Sequence, residues 1–184
     1  MINRPGQALW IFALLSAAGL TPADAQQPPA VQSPPAPQRT TATYQDWTVQ
    51  CEIAAPSQQK ICEMAQATQA PGQANPVTKI AIGRPTKTAP MKVVVQVPIN
   101  VWLPAGVKFT ADAREPGVET VYTRCVPTAC FAEFALKEES LQKLRTLTAN
   151  GTLSLKDAAQ QDVAIPVSFK GFAQAYDALR KESL

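Results

Sequence analysis

Trp47-Thr48-Val49-Gln50-Cys51-Glu52-Ile53 sets Trp, Val, Cys and Ile at every second position. A period of two marks a strand with one face turned to a core. Ala55-Pro56-Ser57-Gln58 follows, with its proline suited to the second position of a turn, and Ile61 to Thr68 reads as the returning strand. Centring the hairpin on that turn sets Cys51 directly opposite Cys62. The construction recurs downstream: Val121, Thr123 and Cys125 run into Val126-Pro127-Thr128-Ala129, and Cys130, Ala132, Phe134 and Leu136 return. Cys125 and Cys130 then face each other. Directly opposed residues of an antiparallel pair have Cα atoms about 4.5 to 5.5 Å apart, within or at the lower edge of disulfide reach. Four cysteines allow three pairings, and two independent turns favour Cys51–Cys62 with Cys125–Cys130. Each closed loop contributes roughly 2 to 3 kcal/mol in the chain-entropy account.

Between the hairpins lie further strand candidates at Val77 to Arg84, Met91 to Pro98 and Val107 to Asp112. Pro98, Pro104 and Pro116 punctuate them and argue against helices there. The apolar connection Ile99-Asn100-Val101-Trp102-Leu103-Pro104-Ala105-Gly106 predicts a buried Trp102. Glu138 and Glu139 open a short helix that carries Leu141, Leu144 and Leu147 and ends before Asn150-Gly151, its acids and bases arranged as the helix dipole prefers. Thr152 to Lys156 and Val163 to Phe169 form a last strand pair. Phe172, Tyr176 and Leu179 then stripe a second helix. Many short strands, Pro-rich turns and two short helices predict a mainly β fold, a β-sandwich stapled by two local disulfides.

The N-terminus supplies the compartment in which disulfides persist. Arg4 precedes the apolar run from Leu9 to Leu20, and Ala23-Asp24-Ala25 is a small-x-small cleavage pattern, so residues 1–25 read as a signal peptide cut before Gln26. The run is too short to cross a bilayer, which needs about 20 residues. Residues 26–43 are then expected to be a disordered Pro/Gln-rich leader with Pro28, Pro29, Pro34, Pro35 and Pro37, a composition that builds no core. The folded domain is expected over 44–184. No lipobox cysteine follows the apolar run, and no later segment reaches membrane-spanning length, so the mature chain is expected to be soluble and periplasmic. Outer-membrane association or secretion stays open.

Composition removes several function classes. The 184-residue chain contains no histidine, which excludes Ser-His-Asp and Cys-His nucleophile arrangements and His-ligated zinc. A net charge of +3, with basic residues scattered along the chain, gives no nucleic-acid footprint. No glycine-rich phosphate loop surrounds Gly171, whose expected role is to ease a sharp turn before the last helix. Asp157 and Asp162 flank a turn but fall short of the six to eight oxygens calcium takes. Adjacent Glu138 and Glu139 diverge around their helix and make a poor acid/base couple.

Tyr44-Gln45-Asp46-Trp47-Thr48-Val49-Gln50-Cys51 resembles the opening aromatic-x-Asp-Trp-x-Val-x-Cys of the invasion-associated locus B family, exported proteins of Gram-negative bacteria. The resemblance continues through Cys62-Glu63-Met64, Leu103-Pro104-Ala105-Gly106, Arg124-Cys125-Val126-Pro127-Thr128-Ala129-Cys130 and Ile165-Pro166-Val167-Ser168-Phe169-Lys170-Gly171-Phe172. It closes at Ala175-Tyr176-Asp177-Ala178-Leu179. It implies an immunoglobulin-like β-sandwich in the periplasm or cell envelope and, in pathogenic members, a link to host-cell entry. It brings no catalytic motif and no cofactor.

The expectation is therefore a binding module rather than an enzyme, whose partner is a protein or envelope component, a host-cell surface among the candidates. Trp47 shares a face with Cys51 and belongs in the core. Tyr122, Arg124, Phe131 and Glu133 share the opposite face of the second hairpin and form the candidate binding patch, since aromatic residues and Arg are enriched at interface hot spots. The alternative is thiol-redox chemistry at Cys125 and Cys130. It asks for a low-pKa thiolate, usually at a helix N-terminus or in a Cys-x-x-Cys motif, where this sequence has longer spacing and strand character.

Overall fold

Cys51 pairs with Cys62, and Cys125 with Cys130, across two antiparallel hairpins. Both pairs are bonded, each with its Cα atoms 4.0 Å apart. The structure, a computed structural model, describes residues 39–69, 76–86 and 88–182. The expected signal peptide and the leader up to residue 38 lie outside the described residues.

Eleven strands and two helices are described: β1 (Arg39–Tyr44), β2 (Trp47–Ala54), β3 (Gln59–Gln69), β4 (Pro76–Gly83), β5 (Lys92–Val97), β6 (Val107–Thr110), β7 (Val118–Thr120), β8 (Tyr122–Val126), β9 (Ala129–Ala135), α1 (Glu138–Leu144), β10 (Gly151–Lys156), β11 (Asp162–Val167) and α2 (Phe172–Glu182). A seven-stranded sheet runs β1-β2-β3-β4-β5-β9-β8, and a four-stranded sheet runs β11-β10-β6-β7. The mainly β, two-sheet class with two helices and two local disulfides is the one read from the alternation. β1 takes up the end of the stretch read as leader. Its exposed Arg39-Thr40-Thr41-Ala42-Thr43 pairs with β2 through the backbone and carries no apolar period.

One core joins both sheets. Val49, Met64, Ile82, Val93 and Val95 project from the large sheet toward Val107, Phe109, Leu153 and Leu155 of the small one. Phe109 stacks on Phe134 at 6.0 Å across that gap. Each such side chain stabilises the fold by about 1.5 to 3 kcal/mol on burial. α2 lies against β1, β2 and β3, and Phe172 meets Trp47 edge-on at 5.1 Å.

A polar clasp fixes the segment that carries α2. Trp47 Nε1 and Gln66 Nε2 both donate to the Ser168 carbonyl, at 2.8 and 3.0 Å, and Ser168 N–H donates back to Gln66 Oε1 at 2.8 Å. Gln66 is buried, so the amide is satisfied within the protein rather than by water. Gly171 then turns the chain at φ 81°, where a Cβ would sit 1.9 Å from the Tyr44 carbonyl oxygen. Only glycine fits this turn. α1 is shorter than the Leu141, Leu144, Leu147 spacing suggests. It ends at Leu144, where the Thr146 hydroxyl and N–H both take the Lys143 carbonyl, and Leu147 packs from the following turn.

Candidate binding surface

The second hairpin brings three of its four expected patch residues together. Arg124 lies over the Phe131 ring at 4.3 Å and donates from Nη1 to Glu133 at 2.8 Å. Lys92 of the neighbouring strand reaches the same carboxylate at 3.6 Å. Glu133 thus ties together two cations on the outward face of the large sheet, and the stacked guanidinium keeps the Phe131 ring covered on one side.

Tyr122 is not with them. The register slips between Tyr122 and Arg124, so Tyr122 opposes Ala132 while Arg124 opposes Phe131. The bulge inserts Thr123 as an extra residue and rotates Tyr122 to the core side, where it packs against the buried cluster. Its hydroxyl is buried and finds no hydrogen-bond partner among the described residues. Burial pushes the phenol up to about 12.

Trp102, expected in the core, is 40% exposed. The Ile99–Gly106 connection is anchored through its backbone instead. Trp102 N–H donates to the Lys156 carbonyl at 2.9 Å, Ala158 N–H donates to the Asn100 carbonyl at 3.0 Å, and Val101 bridges to Asp157. Gly106 closes the loop against β7, where a Cβ would lie 2.3 Å from the Thr120 carbonyl oxygen. With the backbone held from below, the side chains point away: Ile99 is 58% exposed and Leu103 48% exposed. Val121, next to Thr120, is 68% exposed. The register carries Ile99 to the same end of the fold as the Cys125–Cys130 turn, because it lies two residues beyond Val97, the partner of Cys130. Ile99, Trp102 and Leu103 on this backbone-anchored connection, with Val121 beside Thr120, are therefore exposed apolar side chains on the segments that flank the hairpin carrying Arg124 and Phe131. Several exposed apolar side chains on one rim distinguish an interaction surface from isolated surface hydrophobes.

The remaining sequence candidates have local tasks. Asp157 Oδ1 accepts from the N–H groups of Ala159 and Gln161, both at 2.9 Å, and Asp162 pairs with Lys156. Glu138 accepts from the Tyr176 hydroxyl at 3.3 Å and joins the two helices. At the second disulfide Cys125 is exposed and Cys130 is buried, both on strands. The Arg124 charge is directed to Glu133 and Phe131. Cys51, Cys62 and Glu182 approach one another, but the two sulfurs share a bond and offer no thiolate to a metal.

These features define a disulfide-stapled, two-sheet β protein that presents a structured surface. A profile of the invasion associated locus B (IalB) protein family matches residues 47–180, and the chain belongs to that family. It is 25% identical over 140 residues to invasion protein B homologues of Brucella abortus strain 2308 and of B. abortus biovar 1 strain 9-941, covering 75% of this chain and 78% of each relative. The crystal structure of invasion associated protein B from Bartonella henselae superposes with a TM-score of 0.66 at 21% identity, over 77% of this chain and 96% of that one. That likeness establishes the shared fold. Among the described residues, no helix is long and apolar enough to cross a membrane.

Proposed function

We propose that this protein is an exported, periplasmic component of the cell envelope that binds a macromolecular partner and catalyses nothing, and that in an invasive bacterium it supports host-cell entry. The observation that carries the reading is the anchored rim of Ile99, Trp102 and Leu103 beside Val121 and the Arg124–Phe131–Glu133 cluster. Its backbone is held by β10, so little conformational entropy is lost when the side chains are covered. Trp and Arg are the residue types on which interface energy concentrates. The signal-peptide pattern supports export, and the names of the Brucella relatives support a role in invasion. The partner is a protein or another envelope component, a host-cell surface included. Tyr122 takes no part in this surface.

A photo-reactive amino acid placed at position 102 tests the reading in living cells, with position 50 on a distant outward-facing strand as control. A discrete adduct from position 102, absent at position 50 and abolished by Leu103→Asp, is the expected result. No adduct at 102, or the same adducts from both positions, would sink the proposal. Protease sensitivity of a C-terminal tag in intact against permeabilised cells reports location. Protection until permeabilisation is expected, and digestion in intact cells would refute the periplasmic assignment.

A further inference from the structure

A pocket of about 160 Å³ opens beneath α1, lined by none of the rim residues just described. Its floor is Phe109, Leu136 and Leu144, all buried, and its walls include Leu147 and Val118. Val118, 41% exposed, stands at the entrance. The hollow is open on one side, and its volume admits a single six-membered ring, since an engineered apolar cavity of about 150 Å³ takes up benzene.

Charge at the mouth is already cancelled from within. Arg114 grips Asp112 through Nε and Nη2, at 3.0 Å to Oδ1 and 2.6 Å to Oδ2. Lys143 of α1 pairs with Glu115 of the β6–β7 connection across the opening. Two carboxylates facing two cations leave no uncompensated charge for an ionic guest, and an ion entering the apolar floor would lose its hydration without a partner. The wall is fixed in place. Gly117 sits at φ 77°, where a Cβ would lie 2.6 Å from Thr110 Oγ1 and 2.8 Å from the Phe109 carbonyl oxygen, so the connection is cinched against β6. An apolar floor, room for one ring and a mouth whose charges are paired suit a small neutral guest.

We infer that this pocket is a binding site for a neutral, single-ring aromatic molecule, with the Lys143–Glu115 pair on its wall. The inference is independent of the rim proposed above as a partner-binding face. The test is a benzene titration of the mature chain, followed by methyl-resolved NMR. Saturable shifts confined to methyls of Leu136, Leu144, Leu147 and Val118 are expected, with nuclear Overhauser contacts from the ring protons to the same methyls. Ser140→Leu places a larger side chain in the pocket wall at a helix surface position and should abolish the shifts while the spectrum elsewhere stays folded. Absence of saturable shifts in the natural protein up to the solubility of benzene overturns the inference. Equal shifts in the folded Ser140→Leu protein overturn it too. If Ser140→Leu fails to fold, the Overhauser contacts in the natural protein decide: present at those methyls they support the site, and absent they refute it. Phenylacetate serves as the charged counterpart, and binding as tight as that of benzene would contradict the neutral mouth.

Discussion

Replacing Gln66 by methionine isolates the clasp that seats α2. Methionine matches glutamine closely in length and shape, so it leaves almost no cavity. It deletes the hydrogen bonds from Gln66 Nε2 to the Ser168 carbonyl and from Ser168 N–H to Gln66 Oε1, and a longer one, 3.5 Å, from Nε2 to the Asp46 carbonyl. The carbonyl keeps its bond from Trp47 Nε1. The Ser168 N–H loses the partner it has in the folded state. Leaving a part-buried amide without its partner costs up to about 1 to 3 kcal/mol, and the added apolar burial of methionine offsets part of that. The net loss is about 1 to 2 kcal/mol. In a domain of this size each kcal/mol moves the melting temperature by about 3 to 5 °C, so Gln66→Met should melt about 3 to 10 °C lower. Gln96→Met, on the outward face of β5, is the matched control and should stay within about 0.5 kcal/mol of the natural protein. Thermal melts by circular dichroism, with urea titrations to confirm an unchanged m-value, measure both. Equal melting of the two variants would refute the idea that the Gln66 amide holds the β11–α2 junction.

Removing the staples should cost unequally. The Cys125→Ala/Cys130→Ala protein should lose about 2.1 kcal/mol from its short loop, and the Cys51→Ala/Cys62→Ala protein about 2.8 kcal/mol plus a packing loss, since Cys51 and Cys62 both lie in the core; urea unfolding ranks them, and the reverse order would contradict the packing term. Tyr122 gives a pH signature. Its folded-state pKa, raised by burial to about 12 from an ordinary 10, lies above the unfolded value, so its contribution is complete below pH 10 and is lost as pH rises through about 12. Tyr122→Phe should therefore lose less stability than the natural protein between pH 10 and 12, and parallel pH curves for the two would refute the burial account. Tyr176, also shifted upward by burial, titrates in both proteins and cancels from the comparison.

The parts of the fold that could be read in advance are those where the pattern of side chains and the turn speak together. Trp47 to Ile53 and Cys130 to Leu136 alternate cleanly, each beside a proline-bearing turn, and this fixed strands, register and disulfides at once. β1 was invisible because an edge strand held by backbone bonds alone needs no apolar period. Trp102 was misplaced because apolarity was equated with burial. In that loop the backbone makes the attachments to β10 and the side chains are what remain outside. Tyr122 was misassigned because strict alternation has no means of showing a bulge, and one inserted residue reverses every face beyond it. Gln66 sat unremarked because a polar side chain on the inner face of a strand gives no local signal of its partner, Ser168, far along the chain. The surface was thus half legible: Arg124, Phe131 and Glu133 from spacing, and the Trp102 rim only once the backbone contacts were known.

The placement of the four cysteines also bears on how the chain reaches its native bonding. Each sulfur has its mate inside its own hairpin, at a separation of 11 or 5 residues. Loops of that size close within about 10 to 100 ns, whereas joining a cysteine of one hairpin to a cysteine of the other requires a loop several times longer, at about 0.6 kcal/mol per doubling. The correct pairs are therefore also the quickest to meet, and Cys51–Cys62 can close before Cys125 and Cys130 have been synthesised. Connectivity is set by proximity along the polymer, so neither the order of oxidation nor a shuffling catalyst is needed to reach it.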